Sequence, residues 1–270
     1  MSKTWLITGA SSGFGRLLSE RVASSGDDVI AVARREDRLN ELASKHAGHI
    51  SAMTLDLTSS QTGPLVHAAI RDAGGLDVLV NNAGYGLIGS VEQCDDAAVR
   101  AQFDVNFFAA LTVLRAALPA LRLSQGRVVQ ILSFFSELAI PGSGLYSASK
   151  SALALASQAL ALELAPAGLQ VTTVHPGRFG TEFLSSAHVV APDETYANTV
   201  GATISHETTL PAEASQDPSL VVDAVLAVVT HPRPPRRLAV GDDSVQLIRN
   251  ALQTQVNELA EWGPAGGLAF

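Results

Sequence analysis

Tyr146 and Lys150, four residues apart in YSASK, are the two side chains whose types and spacing best suit moving a proton. The run that follows, SALALASQALALELA, reads as a helix, which puts both on one face. A phenol with its ordinary pKa of about 10 is a poor acid or base at neutral pH. An ammonium about 4 Å away, at an effective dielectric near 20, favours the phenolate by about 4 kcal/mol, or roughly three pKa units. That would poise Tyr146 as a general acid/base. Ser133 adds a hydroxyl 146 − 133 = 13 residues upstream, at the end of an apolar strand-like run.

A second constellation has the chemistry of phosphate binding. In TGASSGFG, residues 8–15, Gly9, Gly13 and Gly15 permit a tight turn after a strand, and the helix it opens offers N–H groups to a pyrophosphate. The spacing is G-x-x-x-G-x-G, not the common G-x-G-x-x-G. The next strand ends Ala33-Arg34-Arg35. A carboxylate there would hold ribose hydroxyls. Guanidinium groups suit a 2′-phosphate, so NADP(H) is expected over NAD(H). Asn81-Asn82-Ala83-Gly84 is a small-residue turn against which a cofactor could lie, and Asn106 is a polar residue in the apolar run VNFFAAL.

The elements that must carry these groups alternate. Strands are expected at 5–8, 29–33, 50–55, 78–81, 127–132, 170–174 and 238–240. Helices are expected at 16–25, 36–45, 63–73, 218–230 and 242–262, the last followed by a Gly/Pro-rich tail. The run Asp96–Leu123 reads as one helix or a pair. The Tyr146 helix stops at Ala165-Pro166-Ala167-Gly168, and 178–217 is irregular. Continuous apolar strands with short connections give an α/β, Rossmann-type, doubly wound and mostly parallel seven-stranded sheet with helices on both faces, in one domain spanning 1–270.

Composition narrows the classes. The chain has 270 residues, 47% hydrophobic and 16% charged, with net charge −8 and no basic block, so nucleic acid is not an expected partner. Arg233, Arg236 and Arg237 lie among prolines in a connection. Cys94 is the single cysteine, so no internal disulfide can form. The N-terminus lacks a signal-peptide pattern. No apolar stretch reads as an uninterrupted span of ~20 residues, 145–165 coming closest, and a cytoplasmic protein without membrane partners is expected. No metal site is expected.

Taken together, TGASSGFG, Asp56, NNAG, Asn106, Ser133, Tyr146-x-x-x-Lys150 and His175-Pro176-Gly177-x-x-x-Thr181 resemble the short-chain dehydrogenase/reductase family over about residues 3–240. The resemblance implies that the glycine turn, with Ser11, Ser12 and Phe14, cradles the dinucleotide. Arg34 would hold the 2′-phosphate, with Arg35 beside it. Asp56 and Leu57 would flank the adenine, and Asn82, Ala83 and Gly84 the adenosine ribose side. Pro176, Gly177 and Thr181 would contact the nicotinamide end. Tyr146 would exchange the proton, Ser133 would bond the substrate carbonyl, and Lys150 would bind the nicotinamide ribose and lower the Tyr146 pKa. Asn106 would hold a helix open around a water. The chain departs from the family's pattern at Leu132, in place of a serine, and at Ser136, in place of a glycine. Neither is expected to touch the reacting groups.

The reaction expected is hydride transfer between nicotinamide and a carbonyl or secondary-alcohol carbon, with epimerase or dehydratase chemistry on the same cofactor site as the alternative. Phe134 and Phe135 suggest an apolar wall beside the reacting carbon. The segment 178–217, with Phe179, Phe183, Leu184, Val189, Val190, Tyr196, Val200, Ile204 and Leu210 and a single permanent cation, Arg178, is expected to cover a fairly apolar substrate. The resemblance also implies a homodimer or homotetramer through the helices at 96–123 and 146–165.

Overall fold

A computed structural model gives the fold over residues 2–209 and 215–262; Leu210 and the C-terminal tail lie outside the described residues. The chain begins with β1 (Thr4–Thr8), α1 (Gly13–Ser24), β2 (Asp28–Ala33), α2 (Glu36–Lys45), β3 (Ile50–Thr54), α3 (Thr62–Asp72) and β4 (Val78–Asn81). It continues with α4 (Asp96–Phe103), α5 (Ala110–Ser124), β5 (Arg127–Ile131), α6 (Gly144–Leu164), β6 (Gln170–Pro176), α7 (Ala202–Thr209), α8 (Ser219–Thr230), β7 (Arg237–Val240) and α9 (Asp242–Trp262). The seven strands form one sheet in the order β3-β2-β1-β4-β5-β6-β7, every neighbouring pair parallel. The order reverses between β1 and β4, which opens a crevice at their carboxyl ends.

β1, β2, β4 and β5 are buried along nearly their whole length because both faces are covered, while the edge strand β3 is fully buried only at Ile50. Trp5 and Ile7 of β1 face one core layer, with Leu18 and Val22 of α1, Leu39 and Leu42 of α2, and Val221 and Val225 of α8. Leu6 points to the opposite layer, with Val66 and Ile70 of α3, Val113 and Leu121 of α5, and Leu164 of α6. This alternation fixes the register of β1, since a one-residue slip would exchange the two layers. The α6 stop falls where the sequence places it, at a 3-10 turn, Ala165–Ala167, closed by Gly168 at φ 78°.

The Asp96–Leu123 run, expected as one helix or a pair, is two α-helices joined without a break by a π-helical turn, Asp104–Ala109, and Asn106 sits in that turn. Among the described residues the helical run long and apolar enough to cross a membrane is this one, Asp96–Ser124, rather than 145–165. In this fold its Val113, Leu114, Ala117 and Leu121 are buried in the second core layer. The 178–217 segment is also more ordered than its sequence suggests. His188–Val189 pairs in parallel with Leu87–Ile88, and α7 follows.

Candidate active site

The crevice at the carboxyl ends of β1 and β4 is a cavity of about 1010 Å³. Gly9, Ser11, Ser12, Gly13 and Phe14 line one end. Arg34, Arg35, Asp56 and Leu57 flank that end. Asn82, Ala83 and Gly84 line it next, and Ser133, Tyr146, Lys150, Pro176, Gly177 and Thr181 complete the lining, with Lys150 against Gly84 and Thr181 against Gly13. Two residues from the sequence reading stand outside the lining. Gly15 is buried at the base of α1, and Asn106 is buried behind Gly84.

The glycine turn is shaped for close approach of a backbone. Gly9 and Gly13 have φ of 69° and 51°, a region glycine enters without strain. A Cβ on Gly9 would meet Asn82 Nδ2 at 2.8 Å, and one on Gly15 would meet Gly9 O at 2.5 Å. Asn82 Nδ2 donates to Thr8 O (2.8 Å), while Thr8 Oγ1 accepts from the N–H groups of Asn82 and Ala83 at 2.9 and 3.0 Å. Thr8 and Asn82 thus staple the ends of β1 and β4 together. Ser12 stands at the α1 N-cap but does not cap it, and no acidic residue occupies the first turn. Its hydroxyl instead accepts from Arg35 Nη2. The first-turn N–H groups and the helix dipole are therefore free of side-chain anions, and the residues present fit a dinucleotide pyrophosphate.

Tyr146 and Lys150 lie on the buried stripe of α6, with Leu153, Ala154, Ser157, Ala161 and Leu164. The stripe that packs the helix also aims the two functional groups inward. Lys150 Nζ donates to Ile131 O (3.1 Å), and a Cβ on Gly84 would meet that Nζ at 3.1 Å. Ser133, 8% exposed, follows β5 and caps a 3-10 turn, its Oγ accepting from Phe135 N at 3.2 Å. Phe135 meets the Tyr146 ring edge-on at 6.1 Å, and Phe183 lies 5.5 Å from it, so the phenol sits between apolar rings.

A family model described as short chain dehydrogenase matches residues 3–189. The chain belongs to this family. A 3-ketodihydrosphingosine reductase of Bacteroides thetaiotaomicron is 35% identical over 198 residues, 72% of this chain and 71% of that one. A short-chain dehydrogenase structure from Streptomyces avermitilis matches with a TM-score of 0.91 at 34% identity, covering 100% of this chain and 98% of that chain. A Burkholderia cenocepacia short chain dehydrogenase in complex with NADP matches with a TM-score of 0.76 at 25% identity, covering 96% and 97%.

In this short chain dehydrogenase the electrostatics of the pair run against the sequence expectation. Burial drives the Tyr146 phenol well above its ordinary range, and the hydrogen bond from Ser133 recovers only part of that rise. Burial lowers Lys150 to about 8. The expected depression of Tyr146 by Lys150 is therefore corrected. Both groups are buried in the cavity wall, where desolvation of each charged form dominates, and the ammonium donates to Ile131 O.

The sequence reading also missed partners of the site. Gln102, fully buried, lies one helical turn before Asn106. Gln102 Oε1 accepts from Leu87 N and its Nε2 donates to Tyr85 O, both at 2.6 Å. Asn106 Oδ1 accepts from Tyr85 N (3.1 Å), and its Nδ2 donates to Tyr85 O (3.0 Å) and Ser149 Oγ (3.1 Å). Two amides of the helical run thus grip the 85–87 loop as a neighbouring strand would. The signal was an i, i+4 amide pair in an apolar helix. Ser136 is closer to the chemistry than expected. Its Oγ donates to Ser133 O and lies 2.8 Å from Nδ1 of the fully buried His175. Of the apolar residues expected to cover substrate, Phe179, Phe183 and Leu184 line the cavity. Val189, Val190, Tyr196, Val200 and Ile204 do not, and Val200 packs over Gly142 instead.

Proposed function

We propose that the protein is an NADP(H)-dependent oxidoreductase acting on the carbonyl or secondary-alcohol carbon of a fairly apolar small molecule. The observation that carries this is that Ser133, Tyr146 and Lys150 line the same cavity as the glycine turn. The bound nicotinamide supplies or accepts the hydride. Ser133 and Tyr146 stabilise the negative charge that grows on the substrate oxygen, and the neutral phenol favoured by burial is the form that donates a proton to it. Lys150 holds the nicotinamide ribose. Asn106 and Gln102 position the 85–87 loop.

The 2′-phosphate preference rests on Arg34, Arg35 and Arg38 near the adenosine end, and the NADP complex of the Burkholderia relative supports it. The apolar substrate rests on Phe134, Phe135, Phe183 and Leu184 in the lining. Arg178 does not offer a free cation there, because Glu207 accepts from its Nε and Nη2 at 3.2 and 2.7 Å and Asp243 lies 3.9 Å from its Nη1. The Bacteroides relative is named as a reductase of a ketone, 3-ketodihydrosphingosine, which is consistent with carbonyl chemistry. A panel of ketones and secondary alcohols, followed by NADPH and NADH absorbance, tests the reading. Ketone-dependent NADPH oxidation with higher kcat/KM than NADH is expected. Substrate conversion without net cofactor turnover would instead indicate epimerase or dehydratase chemistry.

A further inference from the structure

Glu182 sits where an incoming phosphate would compete with it. It follows Thr181 at the root of the covering segment and reaches back over the glycine turn. Its carboxylate accepts from Arg38 Nη1 at 2.8 and 3.0 Å and from Arg35 Nη1 at 3.1 Å. Arg35 in turn donates to Ser11 Oγ through Nε and to Ser12 Oγ through Nη2. The guanidinium next to the glycine turn therefore has one face fixed to that turn and the other occupied by a carboxylate. The same root is held beside the turn by packing. Phe179 meets Phe14 edge-on at 5.6 Å, and a Cβ on Gly13 would touch Thr181 at 3.6 Å.

We infer that Glu182 is a specificity-determining residue: an internal carboxylate that competes with the adenosine 2′-phosphate for Arg35 and Arg38 and so links cofactor choice to the position of the covering segment. The argument rests on the cofactor reading above and is one of charge and geometry. A carboxylate carries one negative charge and two acceptor oxygens. A phosphate monoester carries about −1.5 to −2 and three strong acceptors, so it outcompetes a carboxylate for a pair of guanidiniums. Glu182 is half-exposed and tethered by a short segment, so it can leave. A dinucleotide lacking the 2′-phosphate has nothing with which to displace it, and the arginines then stay neutralised by the segment. One carboxylate thereby weakens binding of 2′-phosphorylated cofactor and holds the segment down when that cofactor is absent.

The test is calorimetric binding of 2′,5′-ADP and of 5′-AMP, which lacks only the 2′-phosphate, to the wild type and to Glu182→Gln, with unchanged circular dichroism and Tm confirming the fold. Glu182→Gln keeps the side chain's size and removes its charge. It is expected to tighten 2′,5′-ADP by about threefold to tenfold and to leave 5′-AMP within about twofold, the gain shrinking with added salt. Arg38→Gln, which removes one holder of Glu182 and one cation together, is expected to show no such gain. If Glu182→Gln leaves 2′,5′-ADP unchanged, or tightens both nucleotides equally, the inference is overturned. The NADP(H) reading fails separately, if the wild type binds 2′,5′-ADP no better than 5′-AMP. In that case a 2′-phosphate preference appearing only in Glu182→Gln still supports the competition, and its absence in both proteins ends it.

Discussion

Lys150 shows at the scale of one residue how function and stability oppose each other. Its ammonium is 3% exposed, with one hydrogen bond, to Ile131 O. Burial lowers its pKa to about 8, so between that value and the unfolded value near 10.5 the unfolded chain binds more protons than the native one. Native stability therefore rises with pH across that window and is penalised below it. Lys150→Met is expected to abolish turnover and to stabilise the cofactor-free protein by about 1–3 kcal/mol at pH 7, the gain fading above about pH 8. Urea unfolding at pH 7 and pH 10 checks this; a variant less stable at pH 7 would refute it. Tyr146→Phe is expected to lose turnover while retaining cofactor, as followed by fluorescence titration, and near-normal activity would remove Tyr146 from the chemistry. His175 gives the acid counterpart. Burial lowers it to about 4, with Arg237 pushing the same way and Ser133 O opposing, while Glu137 lies 3.6 Å from its Nδ1. Since a charged imidazole is disfavoured in the native state, stability is expected to fall as pH drops from about 6.5 towards 4, by up to about 3 kcal/mol. His175→Asn should flatten that limb in chemical unfolding.

At the scale of the element, the π-turn between α4 and α5 lets one helical run serve both the core and the site. Its extra residue per turn places Asn106 beside Gln102, and both amides bond the 85–87 backbone in a dry interior. Asn106→Ala leaves the Tyr85 N–H without its acceptor. It is expected to cost about 1–3 kcal/mol and to lower kcat more than it raises KM for cofactor. Urea midpoints with steady-state kinetics test both. A stable Asn106→Ala enzyme with unchanged kcat would show that the clamp is ornamental to the chemistry. The covering segment is fixed by Glu182 on Arg35 and Arg38 at its root and by Glu207 on Arg178 at α7. Such ion pairs near solvent are weak enough to open in a catalytic cycle.

Across the whole molecule, α6 buries one stripe and leaves another uncovered. Leu155 and Leu162, seven residues apart, are 67% and 59% exposed, and Phe108 of the neighbouring π-turn is 54% exposed. An apolar helix face of this kind suits a second copy of the chain. Leu155→Glu combined with Leu162→Glu is expected to shift the protein to monomer in sedimentation. A wild type that already sediments as a monomer at micromolar concentration would contradict the assembly.

What the sequence determined by itself was whatever local rules control. The alternation of apolar strands and helices set the doubly wound sheet. The glycines at 9, 13 and 15 set the turn, and the four-residue spacing of Tyr146 and Lys150 put both on one face of α6. Each depends on backbone sterics or helical period, which neighbouring residues fix. Tertiary structure decided which acid meets which base, because Glu182 and Arg35, Glu207 and Arg178, and Ser136 and His175 are far apart in the chain and many other pairings had equal charge logic. It also decided the sign of the Tyr146 shift. A charge four residues away can be read from spacing, but the burial that raises the phenol exists only once the sheet, α6 and the phenyl rings close around it.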